Sequence, residues 1–180
     1  MQRRTFDAEF AGFVRDHRAD LVRTARLLAC GDAHRAEDLV QTALVRAYVA
    51  WGRIRRYDHP VAYVRRSIVN AHIDESRRPW WRRERSVAEP PESPGAVPAA
   101  DDLGDAVRAA LGSLPPKMRA VVVLRHWLDL SVEQTAEWLG CTEGTVKSQN
   151  AKAVAKLRHL LTPDQGVPPP ATVTTGRRSR

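Results

Sequence analysis

Between Leu130 and Leu161 the chain reads LSVEQTAEWLGCTEGTVKSQNAKAVAKLRHLL, the pattern of a helix, a tight turn at Gly140 and a second helix. Ser131, with Gln134 three residues on, has the spacing of a capping box that starts the first helix. Thr142 is placed to cap the second. Val146, Ala153, Val154, Leu157 and Leu161 recur at helical steps and mark its inward face. Its opening residues are small, polar or charged, and lysines follow. Such a helix can bring its N-terminal end against base edges while its free N–H groups meet phosphate. Lys147 and Lys152 suit phosphates, and Ser148 and Gln149 can reach base edges, Gln favouring adenine. The stretch therefore points to a helix-turn-helix that reads duplex DNA. The plainer alternative is an ordinary solvated helix surface.

Upstream, apolar residues keep the same 3.6-residue period and no strand alternation occurs. Phe6, Phe10, Phe13, Val14, His17, Leu21, Ala25 and Leu28 line one helix, ended by Gly31 as a left-handed C-terminal residue. Asp32 caps a second helix with the stripe Ala36, Leu39, Val40, Ala43, Leu44, Ala47 and Tyr48, closed by Gly52. Pro60 suits the first turn of a third, where Val61, Val64, Ile68, Ala71 and His72 face inward and Pro79 ends the run. Prolines 90, 91, 94 and 98 deny helix to the stretch that follows. After it, a helix from Asp101 or Asp102 packs Leu103, Val107, Ala110, Leu111 and Leu114. Pro115-Pro116 breaks it, and Lys117–Leu128 forms the next, packing Met118, Val121, Val122 and Leu124.

The expected fold is all-α: two small helical domains joined by a Pro-rich linker, the C-terminal one a helix-turn-helix. Residues 1–87 form the first domain, 88–100 the flexible linker, 101–161 the second domain and 162–180 a disordered tail. An extended linker lets the two domains sit well apart on one target.

Charge follows the same division. The chain carries +8 overall; residues 1–87 hold +7, residues 88–110 hold −4 and residues 111–161 hold +3. Two basic bodies flank an acidic strip, as a polyanionic partner requires. The blander source of such a balance is a genome that favours Arg and Ala. Two cysteines, Cys30 and Cys141, stand far apart in no metal-ligand spacing, which argues against a disulfide framework or a zinc site and for a reducing cytoplasm. No apolar run reaches membrane-spanning length, and the first residues lack a signal-peptide core. A soluble intracellular protein without metal or cofactor is expected. No phosphate-binding loop, nucleophile elbow or paired catalytic carboxylates occur, so enzymatic function is not expected.

The third helix and its exit read PVAYVRRSIVNAHIDESRRPWWRRERS. Arg65, Arg66, Arg77, Arg78, Arg82, Arg83 and Arg85 interleave with Tyr63, Asn70, His72, Trp80 and Trp81. Arginine neutralises phosphate, and aromatic planes stack on unpaired bases, so this composition suits a melted strand. The tryptophans could equally anchor the helix end to the core. On the second helix, Asp38, Gln41, Thr42, Val45 and Arg46 lie opposite the apolar stripe, compatible with docking another protein or with plain exposure to solvent.

These pieces together resemble a bacterial sigma-70 family factor of the small extracytoplasmic-function (ECF) type, most similar to the actinobacterial sigma-E-like subgroup. AEDLVQTALVRAYVAW is similar to conserved region 2.2, YVRRSIVNAHIDESRRPWWRRE to regions 2.3 and 2.4, and LGSLPPKMRAVVVLRHWLDLSVEQTAEWLGCTEGTVKSQNAKAVAKLR to region 4. The resemblance covers roughly Phe10–Leu161, and the tandem order with a proline-rich linker in place of region 3 is its specific signal. It implies an RNA polymerase sigma factor that directs promoter recognition and transcription initiation. Core polymerase, through its β′ clamp helices and β flap, and promoter DNA are the implied partners, with an anti-sigma factor as a further candidate. The implied polymerase-binding residues are Asp38, Gln41, Thr42 and Arg46. The implied −10 residues are Arg65, Arg66, Asn70, Asp74, Arg77 and Arg78, joined by Trp80 and Trp81. The implied −35 residues are Thr142, Glu143, Thr145, Lys147, Ser148, Gln149 and Lys152. Two places depart from the family pattern. Thr42 and Val45 stand where an acidic and an aromatic residue are common, and SQNAKA lacks the arginines many relatives carry after the serine. Two other readings stay open: a stand-alone repressor or activator whose N-terminal half dimerises or senses, and an adaptor that docks protein through Asp38–Arg46.

Overall fold

The computed structural model describes residues 2–77 and 104–162, and among these every regular element is helical. Three helices make an N-terminal body: α1 (Gln2–Ala29), α2 (Ala33–Ile54) and α3 (Pro60–Arg77). Four make a C-terminal body: α4 (Asp105–Gly112), α5 (Pro116–Val122, continued by a π-helical segment Val123–Trp127), α6 (Val132–Leu139) and α7 (Glu143–Leu161). The linker residues 88–100, the helix start at Asp101 or Asp102, Leu103, Pro79 and the tail from residue 163 lie outside the described residues.

Local chemistry sets most helix ends. Cys30 (φ 56°) and Gly31 (φ 84°) both turn left-handed, which stops α1. The Asp32 carboxylate accepts the Arg35 backbone N–H at 2.9 Å and starts α2. Ser131 and Gln134 exchange side-chain and backbone bonds in a complete capping box, Gly140 closes α6 at φ 60°, and the Thr142 side chain accepts the Thr145 N–H. Three expectations shift. Gly52 does not end α2; the helix runs on to Ile54, because burying Trp51 and Ile54 outweighs the roughly 1 kcal/mol that a helical glycine costs. Tyr48 leaves the buried stripe, and Trp51 takes that role. The Tyr48 ring stands edge-on to Phe6 and Phe10 at 5.5 and 5.2 Å, and its hydroxyl donates to Asp7 at 2.7 Å. Val107 and Leu161 are exposed rather than inward, since residues 104–107 and 158–162 extend past the packed parts of their helices.

The two bodies do not stand apart. One apolar cluster runs through both, joining Leu28, Val40, Ile54 and Ile68 to Leu111, Leu114, Val123 and Leu124. Arg119, buried on α5, sits at the junction. Its Nη1 donates to Leu28 O (2.8 Å) at the end of α1. Its Nε donates to Leu111 O (2.9 Å), and Nη2 donates to Leu114 O (3.0 Å) and Gly112 O (3.3 Å). A charged fork thus closes the carbonyl ends of two helices from different bodies.

Candidate nucleic-acid interface

Helical spacing sorts the third-helix residues. Arg66, Asn70, Asp74 and Arg77 are four, four and three residues apart and form one stripe along α3. All four line a single cleft of about 260 Å³. Arg65 falls one row to the side, with its Nε buried and lacking a hydrogen-bond partner. The structure therefore gathers four of the five described polar residues ascribed to this surface. Arg65 stands off, and Arg78, with Trp80 and Trp81, lies outside the described residues.

The opposite wall of the cleft belongs to the C-terminal body: Glu137, Trp138, Leu139 and Gly140. Arg66 Nη1 lies 3.3 Å from Glu137 Oε1, and its Nη2 donates to Glu137 O at 3.0 Å. Neither Glu137 nor Trp138 was legible as part of this surface, because the contact joins residues 71 apart in sequence. Arg119 was also missed. Its one signal was a lone arginine set in the apolar run MRAVVV.

On α2, Asp38, Gln41, Thr42 and Arg46 are all exposed, with Val45 and Val49 beside them at 63% and 82% exposure. Gln41 donates to Glu37 at 2.9 Å, and Arg46 reaches Asp74 of α3 at 3.7 Å, so the α2 and α3 surfaces meet at an ion pair.

On α7 the opening turn carries its polar groups outward. Glu143, Lys147, Ser148 and Lys152 are exposed, while Thr145 and Gln149 are half-buried. The Thr142 hydroxyl is committed to the cap and to Thr145 Oγ1 at 2.9 Å. Lys147 pairs with Glu143 at 3.2 Å, an exposed contact of little energetic weight. His126 Nε2 donates to Asn150 Oδ1 at 2.9 Å, tying the helix to the segment that ends α5.

Behind these faces lies a cationic, buried junction. His72 approaches Pro116 O with Nε2 (3.3 Å), and Arg35 Nη2 faces its Nδ1 (3.3 Å). Burial, reinforced by the Arg35 and Arg119 charges and opposed by the Pro116 carbonyl, holds its pKa down to about 4. The imidazole is thus neutral, with Nε2 as donor and Nδ1 as acceptor. Burial raises the Cys30 thiol, partly offset by Arg119 and Arg35. Burial likewise lowers Arg119, whose carbonyl partners keep it held in place.

A basic three-helix body joined to a capped helix-turn-helix defines a DNA-binding protein with two separate polar surfaces. Comparison with known proteins narrows the class. Residues 13–82 match the family described as Sigma-70 region 2, and residues 104–157 match Sigma-70, region 4. The chain is 42% identical over 159 residues to the RNA polymerase sigma-E factor of Streptomyces avermitilis, covering 85% of each chain. It is 36% identical to the ECF RNA polymerase sigma factor SigM of Mycobacterium tuberculosis, covering 84% of this chain and 76% of the other. The sigma factor RpoE of Bartonella quintana, solved with the anti-sigma factor NepR, aligns at a TM-score of 0.64 and 26% identity, covering 87% of this chain and 99% of that one. The chain belongs to the sigma-70 family, as an ECF-type RNA polymerase sigma factor that serves promoter recognition and transcription initiation. No helix among the described residues is long and apolar enough to cross a membrane.

Proposed function

We propose a division of labour among three surfaces. The α2 face, Asp38, Gln41, Thr42 and Arg46, docks core polymerase. The α3 stripe, Arg66, Asn70, Asp74 and Arg77, opens the −10 element together with Arg65, Arg78, Trp80 and Trp81. The start of α7, Glu143–Lys152, reads the −35 element in the major groove, and Thr142 holds that helix end in place. The protein acts by placing polymerase rather than by catalysis, and it works in the cytoplasm where the polymerase is. The observation that carries this reading is the single stripe on α3. Two arginines, an amide and a carboxylate share one groove-facing row next to the α2 face, so polymerase docking and strand capture fall on adjoining helices. The solved RpoE sigma factor holds the anti-sigma factor NepR, which supports such a partner for this chain too.

The test is transcription by core polymerase supplemented with the full chain on fragmented genomic DNA, with transcript starts sequenced. Starts that share two short motifs at fixed spacing are expected. Arg66→Ala should abolish opening near the start site while leaving polymerase association intact. Starts without a shared upstream motif would reject the reading.

A further inference from the structure

We infer that His126 and Asn150 form a register lock for the reading helix: the bond between them fixes the roll of α7 about its own axis, and with it which base edges Ser148 and Gln149 reach. This deepens the assignment of α7 to the −35 element and rests on it. Both are positioning residues, and neither needs to touch DNA. Asn150 stands where an apolar side chain is expected. It lies four residues after Val146, three before Ala153 and seven before Leu157, on the inward stripe of α7. Val146 and Ala153 are fully buried, and Leu157 is partly so. Val146 packs with Val121 and Ala136, and Ala153 joins the main apolar cluster. Contacts between such small apolar groups are non-directional, so on their own they let a helix settle at neighbouring angles. One amide in an apolar seam costs stability but specifies register, because only one alignment satisfies it. Half-buried Asn150 is satisfied by His126, whose Nε2 donates to its Oδ1 at 2.9 Å.

His126 is itself held on a firm base. From Arg119 to Leu124 every residue of the preceding helix is buried. The chain then widens into the π-helical turn Val123–Trp127, closed by the Leu128 N–H on Val123 O at 3.0 Å. The extra residue in such a turn swings side chains by about 100° from where an unbroken α-helix would put them. Three further features fix the corner. The Leu130 N–H donates to Leu124 O at 3.0 Å, Arg125 Nη1 donates to Leu130 O, and Asp129 takes a left-handed φ of 51°. Strained backbone of that kind persists where its surroundings over-determine it, and it gathers at functional positions. Here it delivers one exposed imidazole to the flank of α7.

Roll matters most for base reading. Side-chain tips stand about 5–6 Å from a helix axis, so the roughly 20° scatter of ordinary helix packing moves them by about 2 Å. A base-edge hydrogen bond tolerates only about 0.5 Å in length. Lys147 and Lys152, on flexible four-carbon stems, can follow a phosphate through such a shift. Loss of the lock therefore relaxes sequence discrimination and spares general affinity.

The test uses the full chain with core polymerase at fixed salt. Binding is measured on a promoter found by transcript mapping and on the same promoter with each base pair of its upstream motif substituted in turn. Discrimination is the ratio of the two affinities. His126→Ala should lower discrimination at least fivefold while affinity for the substituted promoters stays within twofold. His126→Gln, whose amide Nε2 can donate from a similar place, should keep discrimination within twofold of the native chain. Asn150→Leu restores the apolar stripe, so its thermal midpoint should not fall, yet its discrimination should drop as far as that of His126→Ala. Retained discrimination in either His126→Ala or Asn150→Leu overturns the inference. So does an equal loss of affinity on every promoter, which marks His126 as a phosphate contact, or a His126→Gln protein as impaired as His126→Ala. A native chain indifferent to every substitution in the upstream motif rejects the −35 reading itself, and the lock with it.

Discussion

Arg119→Met tests the junction between the two bodies most directly. Methionine keeps the unbranched stem and removes the guanidinium. Four carbonyls then lose a donor: those of Leu28, Leu111, Gly112 and Leu114. Leu111 O keeps a second donor, the Leu114 N–H at 3.1 Å, and Gly112 is exposed and can rehydrate. Leu28 O and Leu114 O belong to buried residues and lose a charged donor each, at about 1–3 kcal/mol apiece. Relief of the buried charge offsets part of the loss. The expected net destabilisation is about 3 kcal/mol. Urea unfolding followed by far-ultraviolet circular dichroism and tryptophan fluorescence measures it, with the m-value unchanged. Arg119→Lys, which keeps charge but loses the fork, should cost about half as much. A loss below about 1 kcal/mol for Arg119→Met would refute the claim that this side chain holds the two helix ends together.

Three other outcomes follow from the same structure. His72 is held at about 4 when folded against an ordinary value of 6.5, so the unfolded chain binds the proton more tightly. Its contribution is complete above about pH 6.5 and is lost as pH falls toward 4, by about 3 kcal/mol in all. The charged groups facing it are Arg35, itself paired with Glu75, and Arg119. Unfolding titrations across that window should show a slope that His72→Gln flattens, and parallel curves for the two proteins would contradict this. Thr142→Ala should cost about 1 kcal/mol in thermal unfolding through the lost cap, and an unchanged midpoint would show the cap to be dispensable. Lys147→Ala and Lys152→Ala should each reduce the log–log salt dependence of promoter binding by about one unit; an unaltered slope would remove that lysine from the phosphate contacts.

Much of the molecule was legible before its structure. The caps at Asp32, Ser131 and Thr142 and the left-handed stops at Gly31 and Gly140 were readable because each depends on atoms within a few residues. The α3 stripe was readable because helical spacing places Arg66, Asn70, Asp74 and Arg77 in one row. Arg65 stands one row off that stripe, since adjacency in sequence is not adjacency on a helix face. The end of α2 was misjudged because Gly52 carries a local penalty that the burial of Trp51 overrides.

The sequence by itself determined the all-helical class, the helix-turn-helix, the basic character of both bodies and the family. These properties rest on periodicity, capping chemistry and composition, which are local or additive. The tertiary structure alone decided that the two bodies close on each other. It also decided that Arg119 buries its charge among carbonyls, that His72 stays neutral and that Glu137 covers Arg66. Those contacts join residues 91, 44 and 71 positions apart, where no short-range pattern along the chain can say which groups will meet.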